Sequence, residues 1–144
     1  MAAVLVVDDS ETMRQLVRAM LEPLGYAVHE AEDGVQGVAA LRASAEPGVV
    51  LLDYRMPNMD GWEVLQQVVA DGAPLTAHQF IVITADVSTF PTAYIELLRD
   101  VSIRILPKPF SKDGLTSAVS QALERLSAPP AVPVALETDS GQSV

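Results

Sequence analysis

Aspartates follow two of the apolar segments in this sequence. Asp8 and Asp9 come directly after the apolar run at residues 2–7, and Asp53 comes directly after the run at residues 49–52. Two carboxylates at the end of a buried strand repel each other at low dielectric unless a cation lies between them. Because Mg2+ prefers a few carboxylate oxygens and keeps several waters, the three aspartates are candidate magnesium ligands. A lone Asp-Asp pair is more often a solvated loop or a helix cap, so this assignment depends on the rest of the pattern.

Two further polar residues end segments of the same kind. Thr84 follows the apolar run at residues 80–83, and Lys108 follows the segment at residues 103–107. In an open parallel sheet, ligands bind at the edge where the carboxyl ends of the strands meet. The sequence therefore predicts a site with three carboxylates, one hydroxyl and one ammonium. Each residue also has an ordinary alternative, since threonine is common in strands and a lysine at a strand end is usually only solvated.

The alternation of segments predicts the elements that would position these side chains. Five short apolar segments alternate with five segments in which apolar residues recur at helical spacing, which is typical of a doubly wound parallel sheet. Ser10 and Ser111 are predicted N-caps, Pro91 suits the first turn of the fourth helix, and Gly25 is predicted to end the first helix. The predicted strands cover residues 2–7, 27–31, 49–52, 80–83 and 102–106, and the predicted helices cover residues 11–24, 34–43, 61–70, 91–98 and 112–126.

Composition restricts the class of protein. The formal net charge is -10 and the chain has only nine lysines and arginines, which argues against a direct nucleic-acid partner. The chain has no cysteine, so disulfides and thiolate zinc sites are excluded. No apolar stretch approaches the ~18 residues needed to span a bilayer. From these features we expect a cytoplasmic protein without a membrane partner.

The composition changes near the carboxyl end of the sequence. The 144 residues fit one domain of ordinary size. From Ser127 onward the chain is first proline-rich and then polar. We therefore expect one folded domain at residues 1–126 and a flexible tail at residues 127–144.

Four segments resemble the receiver domains of two-component response regulators. They are Val-Val-Asp-Asp-Ser at residues 6–10, Leu-Leu-Asp-Tyr-Arg-Met-Pro-Asn-Met-Asp-Gly at 51–61, Ile-Thr-Ala at 83–85 and Pro-Lys-Pro-Phe at 107–110. The resemblance extends from residue 1 to about residue 126. It implies a flavodoxin-like (βα)5 fold with the strand order 2-1-3-4-5.

The resemblance implies that the chain is a phosphorylation switch and not a metabolic enzyme. Asp53 would accept a phosphoryl group from the phosphohistidine of a histidine kinase or a histidine phosphotransfer protein. Asp9 and Asp53 would bind Mg2+ directly, Asp8 would act mainly through water, and the backbone carbonyl of Arg55 would complete the protein ligands. Phosphoryl transfer requires mainly positioning and neutralisation of charge, which such a set of groups would supply.

Three further residues receive roles from the same resemblance. Thr84 and Lys108 would contact the phosphoryl oxygens, and the small side chain of Ala85 would leave room for access. Ile105 stands where the family commonly has an aromatic side chain that moves when the threonine moves, so the usual relay is in question. The Lys108–Pro109 peptide bond is a candidate for the cis form.

The resemblance also implies partner surfaces. The kinase or phosphotransfer protein would dock near Met13, Arg14, Pro109 and Phe110. An unidentified downstream partner would contact the face formed by the fourth helix, the fifth strand and the fifth helix.

Arg55 and Asp86 each stand two residues beyond a predicted site residue. Both side chains are expected to lie at the rim of the site. If they pair, they would cover the path of an attacking water and slow self-dephosphorylation; the alternative is two independent solvated side chains.

Three other interpretations of the whole chain stay open at the level of sequence. The chain could be a receiver fragment of a hybrid histidine kinase, since a proline-rich tail also resembles an interdomain linker. A Mg2+-dependent phosphohydrolase with an aspartyl nucleophile would need a second acid two residues after Asp53, where this chain has Arg55. An inactive receiver used as a scaffold would normally have lost an acid or the lysine, and this chain has lost none of them.

Overall fold

A five-stranded parallel sheet forms the centre of the molecule. The computed structural model describes residues 3–44, 46–73 and 77–127. Within these residues the strand order is β2-β1-β3-β4-β5, which confirms the predicted fold class. The strands are β1 (Ala3–Val7), β2 (Ala27–Ala31), β3 (Val49–Asp53), β4 (Gln79–Thr84) and β5 (Arg104–Pro107). The helices are α1 (Glu11–Leu21), α2 (Gly34–Ala43), α3 (Gly61–Ala70), α4 (Thr92–Asp100) and α5 (Lys112–Ser127).

Helices cover both faces of the sheet. One apolar cluster packs α1 and α5 against the sheet, and a second cluster packs α2, α3 and α4 against the opposite face. Every residue of β3 is buried. A strand covered on both faces needs apolar side chains at every position, and this explains why β3 appears in the sequence as a continuous apolar run.

Polar caps fix the beginnings of the helices near one edge of the sheet. The Ser10 hydroxyl accepts a hydrogen bond from the Met13 amide at 3.2 Å, as predicted for the N-cap of α1. Ser111 accepts from the Gly114 amide at 2.9 Å at the start of α5. At α3, Asp60 forms a reciprocal capping box with Glu63. Such caps satisfy amides that have no partner within the helix.

The first helix is shorter than predicted. α1 ends at Leu21 and is followed by a 3-10 turn over Glu22–Leu24, which contains Pro23. Proline has no amide hydrogen to continue the helical pattern. Gly25 then adopts a left-handed conformation with φ of 93° and ends the segment, as predicted.

Other predicted boundaries differ by one or two residues. β5 begins at Arg104 and not at residue 102, where Ser102 has a φ of 57°. α4 begins at Thr92, directly after Pro91, and continues to Asp100. The predicted bounds of β2 and α2 are confirmed.

Some predictions concern residues that the structure does not describe. The predicted tail at residues 127–144 lies outside the described residues, except that Ser127 is the last residue of α5. Within the described part of the chain, no helix has the length and apolar character required to cross a membrane.

Candidate metal and phosphoryl site

The carboxyl ends of four strands bring the predicted polar residues to one edge of the sheet. Asp8 directly follows β1, Asp53 and Thr84 are the last residues of β3 and β4, and Lys108 directly follows β5. The ammonium Nζ of Lys108 lies 3.3 Å from Asp8 Oδ2 and 3.2 Å from Asp53 Oδ1. The register of the parallel strands thus produces the convergence that the sequence predicted.

The three aspartates have the arrangement of a divalent-cation site. One carboxylate oxygen from each of Asp8, Asp9 and Asp53 lies within 4.8 Å of the others. Asp8 is 1% exposed and Asp53 is 6% exposed, whereas Asp9 is exposed to solvent. Beside them is an open crevice of about 450 Å3 whose lining includes Asp9 and Arg55. Hard oxygen ligands on one side and open space on the other fit Mg2+, which retains waters and binds phosphate oxygens.

Burial and like charge oppose ionisation of Asp53. Burial, together with the neighbouring charge of Asp8, raises the pKa of Asp53 from 3.8 to about 6, although the nearby Lys108 opposes this effect. Burial by itself would lower the pKa of Lys108, but the charges of Asp53 and Asp8 outweigh it and raise that pKa. The lysine is therefore held as a cation, and the site still has more negative than positive charge, which a metal ion would offset.

The hydroxyl of Thr84 is bonded to the loop after β4. Thr84 Oγ1 accepts from the Asp86 amide at 3.2 Å and donates to the Asp86 carbonyl at 3.4 Å. Ala85, between them, is exposed. Thr84 is buried at the same sheet edge as Asp53, and its hydroxyl is bonded to the Asp86 backbone in this state.

The two predicted rim residues do not pair with each other. The Asp86 carboxylate accepts from the Ser88 amide at 2.9 Å and from the Ser88 hydroxyl at 2.6 Å. Arg55 is exposed and lines the crevice beside Asp9. No ion pair joins Arg55 to Asp86 in the described residues. Hydrogen bonds from Ser88 and, to a smaller extent, the charge of Arg55 lower the pKa of Asp86, so the two rim residues interact through charge without forming an ion pair.

The predicted docking residues differ in their exposure. Pro109 is exposed, while Met13 and Phe110 are half-buried. Arg14, however, is buried, and its guanidinium bonds to Glu30 and to the backbone of Asp8. The docking prediction for Arg14 thus needs correction, because this side chain is not free to contact a partner.

The two remaining predicted features lie on β5 and just after it. Ile105 is half-buried and packs against the apolar cluster of α2, α3 and α4. The Lys108–Pro109 peptide bond is cis, as predicted.

An aromatic cluster that the sequence pattern did not single out lies beside the site. The ring of Tyr54, which follows Asp53, has its centroid 4.5 Å from that of Phe90 and 5.4 Å from that of Tyr94. Trp62 at the start of α3 also contacts Tyr94, with centroids 5.1 Å apart. These rings connect the loop after β3 with α4.

The sequence pattern did not predict the ion pairs of Arg14, although the spacing of the residues is compatible with them. Arg14 and Arg18 are four residues apart and so lie on the same face of α1. Glu30 is on β2, the next strand along the chain, and both arginines pair with it. Two cations on one helix face, followed by an acid on the next strand, are consistent with a helix–strand network.

Comparison with known proteins identifies the family. The profile of the response regulator receiver domain matches residues 4–120. The chain belongs to this family. It is therefore a response regulator receiver domain of two-component signalling, and the converging aspartates, threonine and lysine lie in that domain.

Relatives and solved structures agree with the receiver domain assignment. Protein PilH of Pseudomonas aeruginosa is 40% identical over 89 residues, which cover 62% of this chain and 73% of PilH. Response regulator MprA of a Mycobacterium species is 35% identical over 125 residues, which cover 86% of this chain and 51% of MprA. The matched region thus spans about half the length of MprA. The structure of the Vibrio cholerae chemotaxis protein CheY4 covers 85% of this chain and 98% of CheY4, with a TM-score of 0.70 and 28% identity.

Proposed function

We propose that Asp53 accepts a phosphoryl group from a histidine kinase or a histidine phosphotransfer protein, and that this changes a surface for protein interaction. The observation that supports the proposal is the convergence of three carboxylates with the ammonium of Lys108, 3.2 Å from Asp53 Oδ1. A receiver domain with this set of groups has the nucleophile and the cationic group required for phosphoryl transfer. The chain is accordingly proposed to be a signalling switch and not a metabolic enzyme.

The aspartates are proposed to hold Mg2+, with Asp9 and Asp53 as direct ligands. Asp8 is proposed to act mainly through water, and the carbonyl of Arg55 is proposed as a further ligand. When bound, Mg2+ would supply positive charge that offsets the repulsion between Asp53 and an anionic phosphoryl donor. The open crevice beside Asp9 leaves room for waters and phosphoryl oxygens.

The transfer forms an oxygen–phosphorus bond on Asp53 and breaks the nitrogen–phosphorus bond of the donor histidine. Lys108 donates to Asp53 Oδ1 at 3.2 Å, so its positive charge lies beside the carboxylate that would attack phosphorus. The leaving imidazole nitrogen keeps the electron pair of the broken bond. The product is a mixed anhydride that water can cleave, which makes the phosphorylated state temporary.

Thr84 and the loop after β4 are proposed to transmit the change. The Thr84 hydroxyl would leave the backbone of Asp86 to contact a phosphoryl oxygen, with the small Ala85 beside it. That movement would shift the loop leading into α4. The output surface would then be the face of α4, β5 and α5. Ile105 on β5 would move with Thr84, although it lacks the aromatic side chain that the family commonly has at this position.

The partner surface for the phosphoryl donor is proposed at the same edge of the sheet. Pro109 is exposed and directly follows Lys108, and Phe110 and Met13 are half-buried. An apolar patch of this kind beside the site would position a helix carrying the donor histidine.

Labelling with a small phosphodonor tests the proposal. Incubation with acetyl phosphate and Mg2+ should add one phosphoryl group, detected by intact mass, and chelation by EDTA should prevent the addition. Asp53→Asn should not be labelled, whereas Glu124→Gln, an exposed substitution on α5, should be labelled like the wild type. Labelling of Asp53→Asn at the wild-type rate would overturn the assignment of Asp53.

A further inference from the structure

A buried arginine connects the acid pair to a glutamate on β2. Arg14 is 7% exposed, and its Nη1 donates to the backbone carbonyl of Asp8 at 2.7 Å. Its Nε donates to Glu30 Oε1 at 2.8 Å. One guanidinium therefore binds a carboxylate and a backbone oxygen at the same time, which its planar set of donors allows.

A second arginine holds the glutamate in place. Arg18 donates from Nε and Nη2 to Glu30 Oε2, at 2.9 and 2.7 Å. Arg18 also pairs with Glu22. Hydrogen bonds from Arg18 and Arg14 lower the pKa of Glu30. Glu30 thus stays ionised near neutral pH, and each of its oxygens is bound by a different arginine.

The carbonyl that Arg14 binds belongs to the peptide that joins Asp8 to Asp9. The orientation of this peptide plane affects the direction in which both aspartate side chains leave the backbone. The amide of Asp8 is held from the other side, because it donates to the Ala31 carbonyl at 3.1 Å. The acid pair is therefore fixed by β2 through Ala31 and by α1 through Arg14.

We propose that Arg14 and Glu30 are positioning residues for the metal site. Glu30 orients the buried guanidinium of Arg14, and Arg14 fixes the Asp8–Asp9 peptide so that both carboxylates face Asp53. Metal ligands need support of this kind, because small errors in their position weaken binding. Without Glu30, the guanidinium would be a buried charge without its partner and would turn towards solvent. The inference depends on the proposed metal site.

Mn2+ binding without a phosphodonor tests the inference. Mn2+ replaces Mg2+ in this test because both ions prefer the same oxygen ligands. The concentration of free Mn2+ is measured by electron paramagnetic resonance. Glu30→Gln should weaken Mn2+ binding about tenfold, within the range for residues that support metal ligands. The matched control is Asp71→Asn, which breaks an exposed pair between Asp71 and two nitrogens of Arg42 on α2. This control should bind Mn2+ like the wild type.

Two additional variants separate positioning from general stability. Arg14→Lys keeps a buried cation but cannot bind Asp8 and Glu30 with one planar group, so it should also weaken Mn2+ binding. If Glu30 acts through Arg14, the double variant should bind Mn2+ no more weakly than Arg14→Lys alone. Urea unfolding identifies any variant that fails to fold.

The outcomes distinguish this inference from the proposed function. Unchanged Mn2+ affinity in folded Glu30→Gln and Arg14→Lys, alongside weakened affinity in Asp9→Asn, would overturn the positioning role and leave the metal site intact. Absence of Mn2+ binding by the wild type would overturn the proposed metal site, and the inference with it.

Discussion

Replacing Asp53 by asparagine should stabilise the folded protein when no metal is present. Asp53 is 6% exposed and lies beside Asp8, which is 1% exposed. Burial, together with the charge of Asp8, raises the pKa of Asp53 from 3.8 to about 6. Ionised Asp53 is thus unfavourable in the folded state, and an amide of the same shape removes this penalty.

The size of the effect follows from the pKa. An increase of roughly two pKa units corresponds to about 3 kcal/mol, at about 1.4 kcal/mol for each unit. Water on the open side of the crevice screens part of this energy, so we expect Asp53→Asn to gain about 1–2 kcal/mol. The pKa of Asp53 is higher in the folded state than in the unfolded state. The free energy of unfolding of the wild type is therefore highest below about pH 4, where Asp53 is protonated in both states, and it falls as the pH rises through about 6.

Urea unfolding followed by circular dichroism measures the difference. In EDTA at about pH 7.5, Asp53→Asn should be more stable than the wild type, and the difference should shrink at about pH 5. Mg2+ should stabilise the wild type more than the variant, because the variant has lost a ligand. Glu124→Gln, the exposed control, should stay within about 0.5 kcal/mol of the wild type.

A loss of stability in Asp53→Asn in EDTA near pH 7.5 would refute this reasoning. A gain that is the same at both pH values would also refute it, because the effect would then not come from ionisation.

Three other changes have expected outcomes. Lys108→Gln leaves the carboxylates without their cation and should lower stability in EDTA by about 1–3 kcal/mol, with partial recovery in Mg2+; unchanged urea midpoints would contradict this. Arg55→Ala and Asp86→Ala should change the phosphoryl half-life independently, because the two side chains form no ion pair. The fold-change in the double variant should therefore be the product of the two single fold-changes, and a clear departure from that product would indicate coupling. Gly34→Ala should lower the free energy of unfolding, measured in urea, by more than about 2 kcal/mol, because its new Cβ would lie 2.3 Å from the carbonyl oxygen of Met59. An unchanged free energy of unfolding would show that the backbone can move there.

The location of the site could be predicted because it follows from the geometry of a parallel sheet. Asp53 and Lys108 each stand at the end of a segment that had to be a strand, and parallel strands end at the same edge. Nothing beyond the order of the segments was needed to place these groups together. Their separation of 3.2 Å required the register of the strands, which the sequence does not state.

The network around Arg14 could not be predicted in the same way. An arginine early in a helix is compatible with an exposed docking surface and with a buried ion pair. The choice depends on how α1 packs on β2, where Glu30 is aligned with Val6 of β1 and so lies close to the acid pair. Burial of a charge depends on such tertiary contacts, which local sequence patterns do not contain.

The helical spacing of apolar residues also predicts a wider buried face than the structure shows for α1 and α2. Leu16 of α1 is 41% exposed and Val35 of α2 is 50% exposed, although both fit the helical spacing. Spacing shows which residues share a face, but the width of the covered stripe depends on the neighbouring elements. Neither residue belongs to the two apolar clusters of the described structure.

The bond between Lys108 and Asp8 joins residues that are 100 positions apart. During synthesis the amino-terminal part of a chain emerges first, so the acid pair and Asp53 exist well before the lysine is available. Contacts of this length form late, because a long loop must close before they contribute to stability. An incomplete chain would hold the aspartates without their ammonium. The proposed competence to receive a phosphoryl group would therefore be acquired only with the last strand, when the sheet is complete.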